Sequence, residues 1–277
     1  MGPLLHRDTM LILHTKILAE FNPLQSVVSE PLFEFTIGSL HIIVSNHMFT
    51  VTIAMVLLLI AVPLAARQRK MVPSGLKNLV ESICVFLRDE VAKPLMGSHT
   101  DQYIYFIWTV FFFILTLNLL AMIPLEKIIA LMTGRKSYFG GPATANIWIT
   151  GAMATVTFFM THFAGIRQQG LWHYLASLAP PVPWWLMPLI YTLEILSSFV
   201  RPFALAIRLF ANIIAGHMVL GAILGMVLIF KSYGIAVASV VGAVALSFLE
   251  LLVAFIQAYI FTFLSALYIG SSIAPEH

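Results

Sequence analysis

The sequence predicts an all-α integral membrane protein. It should have about five transmembrane helices plus one amphipathic interfacial helix, the last two helices forming a long, strongly tilted hairpin. Three observations carry this expectation. Hydrophobic residues make up 60% of the 277-residue chain and charged residues only 10%, with a mean hydropathy of +0.95; such a chain cannot cover its apolar atoms with polar surface in water. The apolar residues fall in separate runs long enough to cross a hydrocarbon core of about 30 Å, which takes about 20 helical residues. The last two runs are about twice that length.

The sequence pI near 9.0 and net charge of +3 do not point to nucleic acid, because the basic residues sit in short clusters beside apolar runs and act as topology signals. The single cysteine, Cys84, excludes disulfide frameworks and cysteine metal sites. The chain is expected to be one membrane domain over 1–277.

Residues 1–46 mix prolines, histidines and the acids Glu20, Glu30 and Glu34, and are expected as an extended or short-helical external segment on the membrane surface. Met1 to Glu20 lacks the pattern of a cleavable signal, so insertion is expected through the first span. Phe35 to Ala66 contains no Asp, Glu, Lys or Arg, is most apolar from Phe49 to Ala66, and is followed by Arg67, Arg69 and Lys70. The positive-inside rule puts that end inside and the N-terminus outside.

After Pro73 and Ser74, the apolar residues Leu76, Leu79, Val80, Ile83, Leu87 and Val91 recur at helical spacing, with Lys77, Glu81, Arg88 and Asp89 on the other face. This is the interfacial helix. Ile104 to Leu125 is the second span, Glu126 to Pro142 an external loop, and Ala143 to Ile166 the third span. Lys127, Arg135 and Lys136 in that loop run against the positive-inside bias. The first three spans and the interfacial helix therefore occupy 47–166.

Residues 180–273 form the hairpin. Pro180 to Trp185 gives a proline-stiffened entry with an aromatic pair at the interface. Apolar runs then extend from about Pro183 to Phe230 and from about Gly234 to Ile273, with Lys231 to Gly234 as the turn. Wholly helical, they would be roughly 70 and 60 Å long. Either they break, at Pro188 and Pro202, or they tilt, and a large tilt implies that the hairpin is laid against another body. No internal repeat is evident. Five crossings bring His277 to the inside.

Within the hairpin, Arg208 sits in an apolar run with no acid near it in sequence. Guanidinium stays protonated, and holding it near a bilayer centre costs between about 2.5 and 17 kcal/mol. Such a cost implies a partner or an interface; the alternatives are a snorkelling or bundle-paired arginine and a fixed charge on an ion pathway. If the turn is centred at Tyr233, Arg208 lies 25 residues before it and Gln257 24 after, while His217 lies 16 before and Glu250 17 after. Each deep polar group thus has a depth-matched polar neighbour.

Helix phase puts Arg201, Ala204, Ala211, Asn212 and Ala215 on the face of Arg208 and turns His217 away from it. Glu250, Gln257 and Tyr268 share one stripe, and Glu194 shares a face with Arg201. A buried His and Glu pair suits proton relay or serves as a static clamp for the hairpin. His47 and His162 are expected at span ends, near the interface.

Arg208-Leu-Phe-Ala-Asn-Ile-Ile-Ala-Gly-His217, with Glu194 and Pro202 upstream and Glu250, Gln257-Ala-Tyr-Ile-Phe261 and Tyr268 downstream, resembles subunit a of the F-type ATP synthases. The resemblance extends over essentially the whole chain and includes Asn118 to Pro124. It implies a membrane stator forming two offset half-channels against a rotating c-ring of carboxylate-bearing hairpins, with peripheral-stalk b subunits and lipid as further partners and no cofactor. It maps the essential arginine onto Arg208, the supporting amides onto Asn212 and Gln257, and the external half-channel onto His217 and Glu250. It further implies ATP synthesis coupled to hydrogen ion transport, by a subunit that is itself a non-catalytic proton channel.

Many bacterial members of that family carry the acid on the first helix and the histidine on the second; here they are exchanged, as in the mitochondrial type. A bacterial inner membrane is the expected location and the mitochondrial inner membrane the alternative. Other readings are a sodium-coupled version of the same subunit, a haem- or quinone-binding respiratory subunit using His162 and His217, and a stand-alone secondary transporter.

Overall fold

A computed structural model describes residues 29, 31–37, 40–66, 75–123, 125–134, 140–177, 183–230 and 232–273. The basic cluster Arg67 to Lys70, the loop cations Arg135 and Lys136, Pro180 to Val182 and the turn residue Lys231 lie outside them, as does almost all of 1–30. The side chains of Glu126 and Lys127 are likewise outside the description.

The extended alternative for the segment before the first span is realised at its end. β1 (Pro31–Ile37) and β2 (Leu40–Ser45) pair antiparallel, with Phe35 opposite Ile42 and Ile37 opposite Leu40, and an irregularity between Pro31 and Phe33. Aromatic and β-branched residues favour strands, and a proline at the first position is tolerated. The first span follows at once as α1 (Asn46–Ala66), about 30 Å of helix. Thr50 and Ala54 are buried on one side, while Leu59, Ile60 and Leu64 are exposed.

The interfacial helix and the second span, expected as separate elements, form one connected path. α2 (Leu76–Phe86) runs into a π turn (Leu87–Ala92), then α3 (Lys93–Met96), a 3-10 turn (Gly97–His99) and α4 (Thr100–Met122). The π turn holds one more residue than an α turn, which buries Leu87, Val91 and Ala92 together. The direction changes at Gly97, whose φ of 55° is in the region that favours glycine. The second span thus starts four residues earlier than the apolar run suggests.

α5 (Leu125–Thr133) occupies part of the expected loop. The third span is shifted towards its C-terminal end: residues 143–145 form a 3-10 turn and α6 (Ile147–Gln169) begins after Asn146. The Asn146 side-chain oxygen accepts the Trp148 N–H at 2.9 Å, an N-cap that fixes the start. A short α7 (Leu171–Ser177) follows.

The hairpin is unbroken. α8 (Met187–Phe230) has 44 residues and contains Pro202; α9 (Tyr233–Ile273) has 41. Pro188 lies in the first turn of α8, where its missing N–H costs nothing. Helices of roughly 60 to 66 Å cannot lie along the normal of a core of about 30 Å with all their apolar residues inside it. Among the described residues, five helices are long and apolar enough to cross a membrane.

α9 packs against α4, α6 and α8, and α8 also packs against α6. The core gathers Leu87, Ile107, Ile114, Leu205, Leu209, Phe261 and Ile269. On α9 the buried positions include Ser239, Ala243, Ala254, Ala258, Ser265, Ala266 and Gly270. Small residues let helices approach closely in lipid, where no hydrophobic force drives them together. The hairpin meets the other helices through 205–214 and 254–273, so it has an anchored end and a turn end.

A methyl at Gly270 would run into the Leu95 carbonyl, a backbone group that cannot swing aside. Gly270→Ala is therefore expected to cost about 1–3 kcal/mol, the usual penalty of overpacking, read as an earlier thermal unfolding midpoint of the purified protein in detergent. Gly151→Ala, which meets nothing within 4 Å, should leave the midpoint in place or raise it.

Candidate functional site

The hairpin places the predicted polar residues in two regions. Towards the turn, the Glu250 carboxylate lies directly against the backbone of Gly216, where a methyl would overlap its oxygen. Both residues are 17 positions from Tyr233. Gly242 lies beside Ile223, which extends the same register. His217, next to Gly216, is half-buried and is engaged in contacts of its own.

Arg208 sits on α8 among exposed small residues: Ala204, Ala211 and Ala215 are open, and Asn212 is half-buried. Among the described residues no carboxylate pairs with it; the ion pairs are Arg88 with Asp101 and Arg201 with Glu194. The expected pairing of Arg208 with Gln257 is not made. Gln257 is only 5% exposed, on the stripe that packs into the bundle, and its side-chain nitrogen has no hydrogen-bond partner. Matched depth did not bring the two side chains together, because they point in different directions around their helices.

At the anchored end Arg201 donates to Glu194 at 2.8 Å, and its guanidinium lies 5.5 Å from the centre of the Tyr268 ring. Seven residues apart on one helix, Glu194 and Arg201 face the same side, as their spacing required. Both are about one-third exposed, so the pair adds little stability.

Behind them lies a group that the sequence did not disclose. His162 is engaged through both ring nitrogens: Nδ1 is 2.6 Å from the Tyr174 hydroxyl and Nε2 is 3.0 Å from the Ser198 hydroxyl. Phe158 packs edge-on against the ring at 4.3 Å between centroids. The Tyr174 ring lies where a methyl on Gly165 would be, and burial pushes its phenol pKa up, so it is a neutral hydroxyl at physiological pH. Both nitrogens of His162 are occupied, leaving none for a haem iron. Among the described residues no three His, Cys, Asp or Glu side chains gather as a metal site.

His47 stands at the start of the first span, as expected, and is buried beside the α6 cap, with Nδ1 3.3 Å from the Asn146 amide nitrogen. Asn118 on α4 donates to the Ala254 carbonyl at 3.4 Å. These contacts join residues 99 and 136 positions apart in sequence.

Residues 48–270 match the family described as ATP synthase A chain. The chain belongs to the ATP synthase A chain family. It is 39% identical over 264 residues to ATP synthase subunit a of Anaeromyxobacter sp. (strain Fw109-5), covering 94% of this chain and 61% of that protein. It is 38% identical over 265 residues to ATP synthase subunit a of Chloroherpeton thalassium, covering 93% and 74%, and 38% identical over 244 residues to ATP synthase subunit a 2 of Chlorobaculum tepidum, covering 86% and 65%. The chain thus spans about three-fifths of the length of the Anaeromyxobacter relative. As an A chain family member with five helices of membrane-crossing length, it is a multi-pass integral membrane protein.

Replacing Gly216 by alanine would displace the mobile end of a side chain and no backbone. Gly216→Ala should therefore change unfolding stability by no more than about 0.5 kcal/mol, while freeing the Glu250 carboxylate. Faster modification of Glu250 by a hydrophobic carbodiimide, followed by mass spectrometry, is the expected result.

Proposed function

We propose that this chain is the ion-translocating stator subunit of a rotary ATP synthase, passing protons through two half-channels formed against a c-ring. The observation that carries this reading is Arg208, an exposed cation in an apolar helix with no carboxylate partner among the described residues. Arg201, on the same helix, has its partner within the chain. The cost of holding an unpaired guanidinium in hydrocarbon is met if the acid comes from another subunit. The small side chains around Arg208 allow a helix of that subunit to come close.

In this mechanism a proton enters from the external side through Glu250 and His217, which can exchange protons, and neutralises a carboxylate on the ring. The neutral carboxylic acid leaves the field of Arg208 and travels through lipid. On meeting the inner half-channel, lined by Glu194, Arg201 and Tyr268, it loses its proton and is drawn to Arg208. Arginine does not give up its own proton, so it separates the two half-channels without conducting. Asn212, on the same face of α8, offers an amide for hydrogen bonds near it, while Gln257 is turned into the bundle. The exposed length of the hairpin gives the surface along which the ring passes, and b subunits and lipid cover other faces. The matched relatives named above are bacterial, which favours a bacterial inner membrane.

Arg208→Ala and Arg208→Lys should both reduce ATP-driven proton pumping to background in vesicles while the complex still assembles, since a lysine is a compact charge without the guanidinium fork and can lose its proton. Substantial pumping by Arg208→Lys would contradict the proposed role.

A second experiment addresses the external pair. Single replacements of His217 or Glu250 by nonpolar residues should slow proton entry, because each leaves the other group poorly satisfied. The reciprocal exchange His217→Glu with Glu250→His should recover more flux than either single exchange, the coupling expected of neighbours. Flux no better than that of the worse single variant would rule out a joint relay.

A further inference from the structure

The cluster around His162 has no part in the mechanism so far. A backbone carbonyl can only accept, so the Ser272 hydroxyl donates its proton to the Thr161 carbonyl at 2.7 Å. With that proton committed, Ser272 can only accept from its neighbour Tyr174. His162 Nδ1 lies 2.6 Å from the Tyr174 hydroxyl and Nε2 3.0 Å from the Ser198 hydroxyl. An Nδ1–H donated to Tyr174 leaves the Nε2 lone pair for the Ser198 proton, the tautomer in which the basic nitrogen is towards α8.

That nitrogen faces the ion pathway. Ser198 lies four residues after Glu194 and three before Arg201, on neighbouring positions of the helix surface. Thr157, Thr161, His162, Ser198, Arg201 and Tyr268 line a cavity of about 20 Å³, enough for one water molecule among polar groups.

We propose that His162 is a proton-accepting station of the inner half-channel, exchanging protons at Nε2 with the Glu194 and Arg201 region through the Ser198 hydroxyl. This rests on the stator reading above. A proton released by a ring carboxylate passes to Ser198 as Ser198 gives its own to Nε2, forming an imidazolium whose Nδ1–H remains bonded to Tyr174. The reverse transfer returns the proton to the cavity and the inner aqueous phase, and neutral His162 is restored. The titratable and charged groups around the imidazole are Tyr174 from α7, Arg201 from α8 and Tyr268 from α9, with Glu194 reaching it through its bond to Arg201.

The test uses the intact ATP synthase in vesicles, with ATP synthesis measured as the inner-side pH is varied through the histidine range. His162→Gln should lower the rate several-fold and flatten its pH dependence. His162→Ala should recover part of that rate on addition of free imidazole, which a purely structural histidine would not allow. Tyr174→Phe keeps the imidazole but removes the acceptor for Nδ1–H, and should move the pH midpoint downwards; it also serves if the His162 variants fail to assemble. A wild-type rate and pH profile in His162→Gln, or an unmoved midpoint in Tyr174→Phe, would overturn the proposal. Arg208→Ala in the same vesicles separates the two ideas: if it is inactive while the His162 and Tyr174 variants behave as wild type, the station falls and the stator reading stands. If Arg208→Ala is active, the stator reading falls.

Discussion

Close approach of helix backbones is the constraint on which this arrangement depends. In lipid an apolar side chain gains nothing by leaving the hydrocarbon for another helix, so contact geometry decides which helices stay together. The buried stripe of α9, with Ala254, Ala258, Ser265, Ala266 and Gly270, lets α3 and α4 come within backbone distance. Gly165 does the same for the Tyr174 ring. These positions carry no chemistry, yet they set where Gln257, Tyr268 and Ser272 stand. The polar residues are held to their places by neighbours that have almost no side chain.

The same hairpin treats two arginines differently. Arg201 has a carboxylate at 2.8 Å and an aromatic ring beside it, and its charge is met within the chain. Arg208, seven residues further on, has neither among the described residues. Water can solvate a surface guanidinium cheaply, but an apolar surface cannot. The contrast between two like residues on one helix is therefore more informative than the presence of either alone.

What the sequence made legible was whatever depends on period and count. Apolar run lengths gave the five long helices, and counting from Tyr233 paired Glu250 with His217, one residue from Gly216, against which its carboxylate lies. Helix phase gave the shared face of Glu194 and Arg201. It did not bring Arg208 to Gln257, because equal depth says nothing about the angle at which two helices turn towards each other. His162 looked like a span-end residue since the apolar pattern stops near it, yet α6 continues to Gln169 and its histidine turns inward. Its partners Tyr174 and Ser198 lie on two other helices, a relation that no local pattern encodes. The π turn escaped for a similar reason: Val91 and Ala92 are both buried only because the backbone admits an extra residue there.

Pro202 also has a mechanical meaning. Lacking an N–H, it cannot bond the carbonyl four residues earlier, and that carbonyl belongs to Ser198. One rung of the longest helix is therefore missing beside the cavity, and Pro202 itself lines that cavity. That oxygen, without its usual helical donor, is one more acceptor beside the cavity. The helix meanwhile has its lowest bending stiffness at this point, six residues and about 9 Å from Arg208. A rod of 44 residues thus carries a built-in flexure on the N-terminal side of the segment that packs into the bundle and presents Arg208. Small lateral loads on the part of the helix before Pro202 can be absorbed there without shifting the charge.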